Sequence, residues 1–121
     1  MGRDSVCIVD GDPAVRDSLS TLLDLNGYHV ETFSTGSAFL RQLKSGIRMQ
    51  CVVCEADLPD TSGVRIFEKV QALPDSIPFA LLVSRRNPSI VKTAHKAGIE
   101  QVFLKPLVHR HLIEFISDHT H

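Results

Sequence analysis

The chain has no apolar run approaching the roughly 20 residues that a membrane-spanning helix needs, and its first residues, MGRDSVCIVD, hold no long apolar core of a secretory leader. Both absences lead to the expectation of a cytoplasmic protein without membrane contact. It has no excess of one charge either: Lys plus Arg number 13 against 14 Asp plus Glu in 121 residues. With no global field to draw it to nucleic acid or an anionic surface, direct binding of nucleic acid by this domain is not expected. Cysteine is scarce and odd in number. Cys7, Cys51 and Cys54 all fall in expected strands, which argues against a secreted disulfide framework and suits small core residues. Cys51 and Cys54 do form a CxxC, but strand positions i and i+3 face opposite sides, so the two cannot readily share a metal or close a bond. A glycine-rich phosphate loop is missing too, since Gly11 to Pro13 is too short and too acidic to cradle a nucleotide or flavin.

What is present is a fivefold alternation of strand and helix signals. SVCIV is a short apolar run of the kind a buried parallel strand produces. Asp12 and Pro13 then make an N-cap and N1 pair, Val15, Leu19, Leu22 and Leu23 recur at helical spacing, and Gly27 ends the helix. YHVETF predicts a second strand, with Ser34 or Thr35 capping a helix that carries Phe39, Leu40 and Leu43 and stops at Gly46. QCVVC predicts the third strand. EADLPDTSG is a polar loop, followed by a helix with Val64, Phe67 and Val70 inward. IPFALLV and QVFL predict strands four and five. The helices after them run over 89–97 and through Val108, Leu112, Phe115 and Ile116.

At this length one core suffices, burying roughly two thirds of the unfolded surface. Strict alternation with buried strands predicts an α/β fold, a three-layer doubly wound five-stranded parallel sheet over residues 1–121 as a single domain. In such a sheet the carboxyl ends of the strands open on one edge, where these folds bind ligands. Asp10, Glu55, Ser84 and Lys105 with Pro106 all stand at those ends, so carboxylates, a hydroxyl and an ammonium are expected to converge. An order of 2-1-3-4-5 would place the switch point between Asp10 and Glu55.

The stretches IVDGDPAVRDSL, LPDTSG and KAG followed by FLKP resemble the CheY-like receiver domain of two-component response regulators, a flavodoxin-like fold, across essentially the whole chain. ETFSTGSAFL is most similar to the FixJ-type branch, whose receivers usually precede a helix-turn-helix domain that this sequence does not include. The resemblance implies phosphorelay signalling tied to transcription, with Asp10 matching the first metal-binding acid, Asp57 offering its backbone carbonyl to Mg²⁺, Ser84 as the switch hydroxyl, and Lys105 before a cis Pro106. It also implies a cognate histidine kinase, protein partners or a homodimer through the last two helices and the fifth strand.

Three positions depart from the family pattern. Gly11 replaces the second acid, Glu55 replaces the phosphoacceptor Asp, and Val102 replaces the rotating aromatic residue. Mg²⁺ demands near-octahedral oxygen geometry, and Glu55 advances its carboxylate by one carbon–carbon bond, roughly 1.5 Å, into the volume that metal and phosphorus would occupy. Misplacement on that scale can cost on the order of 100-fold in attack. Asp12 is expected to cap a helix rather than bind metal.

The sequence thus predicts an atypical, phosphorylation-independent interaction module that is not an enzyme and needs no cofactor. The alternative is a conventional Mg²⁺-dependent receiver with Asp57, Asp60 or Glu55 as acceptor. A further expectation is that Arg85 or Lys105 pairs with Glu55 and Asp10 as an internal counterion; against it stands an Arg85 and Arg86 pair pointing into water. The partner face would carry Lys92, Lys96, Glu100, Arg110 and Glu114 with Leu107 and Ile113 outward. The six histidines, His29, His95, His109, His111, His119 and His121, show no spacing that argues for a site.

Overall fold

The computed structural model describes residues 4–119; His121 lies outside them. Ten elements alternate along the chain: β1 Ser5–Val9, α1 Pro13–Leu25, β2 His29–Phe33, α2 Gly36–Lys44, β3 Met49–Glu55, α3 Gly63–Gln71, β4 Phe79–Val83, α4 Ile90–Ala97, β5 Gln101–Leu104 and α5 His109–His119. The strands form one parallel sheet in the order β2-β1-β3-β4-β5.

Side-chain alternation divides the interior into two cores. Cys7, Val9, Val52, Cys54, Leu81 and Val83 pack with Phe39, Ile66, Val70 and Ala94 on the side covered by α2, α3 and α4. Val6, Ile8, Cys51, Val53, Ala80 and Leu82 meet Leu19, Leu23, Leu112, Phe115 and Ile116 of α1 and α5 on the other. Each fully buried side chain of Leu, Ile or Phe size contributes roughly 1.5–3 kcal/mol against exposure, which is why the central strands are apolar on both faces. Cys51 and Cys54 fall in opposite cores, as strand periodicity requires.

The helix termini follow their local chemistry. Asp12 accepts from the Ala14 amide at 2.9 Å and caps α1, Thr35 accepts from Ala38 at 3.1 Å to cap α2, and Ser62 accepts from Arg65 at 3.2 Å to cap α3. Gly27 takes φ +86° past the end of α1, a left-handed conformation that favours glycine.

Four local expectations are corrected. β3 runs through Glu55, which pairs with Leu82 in the ladder rather than following the strand. In α3, Ile66 and Val70 are the deepest apolar residues, while Val64 and Phe67 are partly buried. α4 starts at Ile90, and Ser89 makes no side-chain cap. Val108 precedes α5 and is 50% exposed because the helix begins only at His109, whereas Leu107 and Ile113 turn inward against the α1–α5 core.

Candidate functional site

Parallel pairing of β1 with β3 and of β3 with β4 brings the strand ends together on one edge of the sheet. Asp10 follows β1 and is completely buried. Its Oδ1 accepts from the Asp12 amide at 2.9 Å, tightening the turn into α1. Glu55, the last residue of β3, accepts from the Gly11 amide at 3.1 Å through Oε1. Lys105 follows β5 and reaches back across the sheet edge. Its Nζ lies 2.8 Å from Glu55 Oε2 and 3.0 Å from Asp10 Oδ2.

The two contacts differ in kind. The ammonium makes a directed hydrogen bond to Glu55, whereas Asp10 Oδ2 is close enough for charge pairing but receives no well-aligned hydrogen bond. Burial raises the Asp10 carboxyl above its ordinary range, with the Glu55 charge adding to the effect, while the Asp12 amide and Lys105 pull the other way. For Lys105, burial alone would lower the pKa, but the contacts to Glu55 and Asp10 outweigh it and hold the ammonium above its usual value.

Two arginines fix the backbone around this cluster. Arg16 of α1 donates from Nη1 to the Asp10 carbonyl at 2.8 Å, and Arg85 donates from Nε to the Lys105 carbonyl at 2.9 Å. Arg85 therefore does not act as the counterion to the carboxylates; Lys105 takes that place, because the exposed Arg85 side chain lies over the β5 end and not in the pocket. Ser84 accepts from the Arg86 amide at 3.2 Å within its own loop. The Lys105–Pro106 peptide is cis. Val102 is partly buried against the α2–α4 core.

The loop after β3 is held elsewhere. Asp57 is exposed and forms an isolated antiparallel bridge with Ser62. Asp60 accepts from the Gly36 and Ser37 amides, each at 2.9 Å, at the start of α2. Those two backbone hydrogen bonds hold its carboxyl below the usual range. Neither the Arg16 link nor the Asp60 link was part of the sequence expectation. Asp60 lies 24 residues from Gly36, and no local pattern joins them.

The donor set does not fit Mg²⁺. Mg²⁺ fills most of its octahedron with water but needs one or two carboxylates free to hold it; here Gly11 offers no side chain, Asp12 Oδ1 accepts from the Ala14 amide at the α1 cap, and the Asp10 and Glu55 carboxylates share one ammonium. Among the described residues no group of three His, Cys, Asp or Glu is placed to hold a metal ion. None of their helices is long and apolar enough to cross a membrane.

A five-stranded 2-1-3-4-5 sheet with acids after β1, a carboxylate ending β3, a hydroxyl after β4 and a Lys before a cis Pro after β5 defines a receiver. The model of the response regulator receiver domain family matches residues 6–117, and the chain belongs to that family. Among its relatives are the transcriptional regulatory protein FixJ of Bradyrhizobium diazoefficiens, 30% identical over 101 residues that make up 84% of this chain and 49% of that protein, and the response regulator protein TodT of Pseudomonas putida, 29% identical over 108 residues, 89% and 47% of the two chains. The chain spans about half the length of these curated relatives. The crystal structure of FixJ-N superposes with a TM-score of 0.82 at 30% identity, covering 97% of this chain and 93% of that one. A CheY-like receiver domain protein from Methanospirillum hungatei JF-1 gives 0.86 at 25% identity, with the same two coverages, 97% and 93%.

Proposed function

We propose that this receiver domain signals by binding and not by accepting a phosphoryl group. The observation that carries the reading is the Lys105 bridge: the ammonium lies 2.8 Å from Glu55 Oε2 and 3.0 Å from Asp10 Oδ2, so the site's two strand-end carboxylates already have their cation. With Gly11 donating to Glu55 Oε1 at 3.1 Å, the longer side chain is held from both ends. A nucleophile in this arrangement would have to break a charge-assisted hydrogen bond before attacking phosphorus, and no carboxylate at residue 11 would hold the metal that offsets the charge.

Nor does Glu55 imitate a phosphorylated acceptor. Ser84 Oγ accepts from the Arg86 amide within its own loop and, among the described residues, makes no hydrogen bond to Glu55, and one carboxylate charge stands in poorly for the roughly two charges of a phosphate. In this reading the domain is a non-enzymatic cytoplasmic module of a transcriptional two-component system. It acts through protein partners, with the α4–β5–α5 face, a second copy and a cognate histidine kinase as the expected contacts.

The test is intact mass after incubation with a small phosphodonor and Mg²⁺, run beside Glu55→Asp and Glu55→Asp with Gly11→Asp. No adduct on the natural chain and an adduct on the double variant is the expected result. A phosphoryl adduct on the natural chain would overturn the reading, and peptide mapping would then identify the acceptor.

A further inference from the structure

The edge of the sheet where β4 and β5 begin carries a second concave site. Residues 72–78 link α3 to β4, and a cavity of about 430 Å³ opens between this link, the end of α3 and the turn before β5. That volume falls in the range of small-molecule sites, roughly 300–1,000 Å³. Its apolar wall is made by Phe67, Val70, Leu73, Ile77 and Phe79, and the rings of Phe67 and Phe79 meet edge to face with their centroids 5.2 Å apart. The link is fixed at both ends: the Leu73 amide donates to the Val70 carbonyl at 3.1 Å, and the Pro78 carbonyl accepts from the Val52 amide at 2.9 Å. Pro74 and Pro78 lock their own φ, so this wall is formed before any ligand arrives.

The charge on the cavity has one sign. Asp75 and Glu100 line it, and no Lys or Arg does. Both acids are exposed, and neither enters an ion pair among the described residues. Asp4, Glu31 and Glu114 on the same surface, by contrast, meet Arg48, His29 and Arg110. His119 also lines the cavity, with its Nδ1 2.7 Å from the Phe115 carbonyl. A carbonyl oxygen only accepts, so that nitrogen carries the proton, and Nε2 of the neutral ring is left as an acceptor. An aromatic wall beside two unpaired carboxylates and a ring acceptor complements an ammonium carried on a hydrocarbon or aryl body.

Two comparisons narrow the occupant. A neighbouring cavity of about 460 Å³ shares the same link, but no aromatic residue lines it and its Asp4 is already bound to Arg48 at 3.0 Å. A stable protein partner would need about 800 Å² of complementary surface on this chain. The large apolar side chains left exposed among the described residues, Leu25, Leu104 and Val108, all lie outside the cavity, so its rim offers no apolar surface on that scale.

We propose that the cavity between the α3–β4 link and the start of β5 binds a small amphipathic amine, with its ammonium at Asp75 and Glu100 and its apolar body against Phe67 and Phe79. The site lies at the opposite end of the strands from Asp10, Glu55 and Lys105. It is therefore separate from the phosphoacceptor position and stands whether or not the chain accepts a phosphoryl group.

The test follows backbone amide shifts in heteronuclear correlation spectra of the isotope-labelled chain during titration with phenethylamine, phenethyl alcohol, hydrocinnamate and tetralysine. Phenethylamine is expected to move the amides of Gln71, Leu73, Ser76 and Glu100. It should bind about fivefold or more tightly than the alcohol or the carboxylate, and weaken as salt is added. Asp75→Asn with Glu100→Gln changes two exposed residues, and thermal melting checks that the variant folds as the natural chain does. This variant should lose about fivefold or more in affinity for the amine and keep its affinity for the alcohol. No shift at the four amides, equal affinity for amine and alcohol, or an amine response unchanged by the variant would each overturn the proposal. Shifts confined to Gly46, Ile47 and Met49 would overturn it in favour of the neighbouring cavity, and tighter binding of tetralysine in favour of a basic protein segment.

Discussion

Lys105 Nζ sits between Asp10 Oδ2 and Glu55 Oε2, 3.0 Å from one and 2.8 Å from the other, so residues at the ends of three strands share a single positive charge. Asp10 is wholly buried, whereas the side chains of Lys105 and Glu55 keep 23% and 20% of their exposure. Removing the cation leaves two carboxylates facing each other with one of them out of reach of water. Lys105→Met is expected to destabilise the fold by about 3 kcal/mol, the low end for a broken buried pair because two of the three groups are partly solvated. Adding Glu55→Gln should restore part of that loss. Urea unfolding of the natural chain and the two variants measures both; equal stability of Lys105→Met and the natural chain would refute the account.

Two glycines near the site differ in what a side chain would meet. A Cβ on Gly63 would lie 2.5 Å from the Glu55 carbonyl and 2.6 Å from Leu81 Cδ1, inside hard contact with backbone. Gly63→Ala should therefore cost about 3 kcal/mol through overpacking. On Gly11 the nearest atoms are the Pro59 ring at 3.2 Å and Glu55 Oε1 at 3.6 Å. A small shift accommodates it, and Gly11→Ala should stay within about 1 kcal/mol of the natural chain. Chemical denaturation distinguishes the two, and the second result bears directly on the Gly11→Asp variant used to test phosphate acceptance.

Asp60 supplies a pH dependence with a definite sign. Its folded carboxyl lies below the ordinary range because of the Gly36 and Ser37 amides, so its stabilising effect is present above the unfolded value of about 3.9 and fades as pH falls through the folded value. Asp60→Ala should melt at a lower temperature than the natural chain at neutral pH, and the gap should narrow below about pH 4. A gap that holds constant with pH would assign the effect to packing instead.

The three thiols should be silent in the folded state. Burial pushes Cys7 up to about 12 and raises Cys51 and Cys54 further still, and the thiolate is the reactive form. Iodoacetamide should add nothing to the native protein and three adducts after denaturation, as read by intact mass. Rapid labelling of any one under native conditions would contradict the packing described here.

Much of this arrangement is legible in the residues themselves. SVCIV and QVFL predict β1 and β5 residue for residue, because apolar runs bounded by polar strand-end residues leave little choice of boundary. Asp12, Thr35 and Gly27 announce their helix termini by chemistry. Of the four strand-end residues that strand order predicts to converge, Asp10 and Glu55 both lie within 3.0 Å of the Lys105 ammonium, whereas the Ser84 hydroxyl bonds within its own loop. What could not be read were links that depend on side-chain reach: Arg85 to the Lys105 carbonyl in place of a carboxylate, Arg16 to the Asp10 carbonyl, and Asp60 to the first amides of α2. Val108 misled because helical spacing was extended one residue past the true start of α5, which exchanged the inward and outward roles of Val108 and Leu107.

The Lys105 bridge also bears on time. A covalent mark on a carboxylate is a clock: it is set by one event, and it runs down at a rate the site determines. A hydrogen-bonded ammonium reforms as soon as it parts and keeps no record of having opened. If the domain signals by binding alone, as proposed, the duration of a signal would belong to how long a partner stays and how fast the chain is made and removed, and history would be stored outside the molecule.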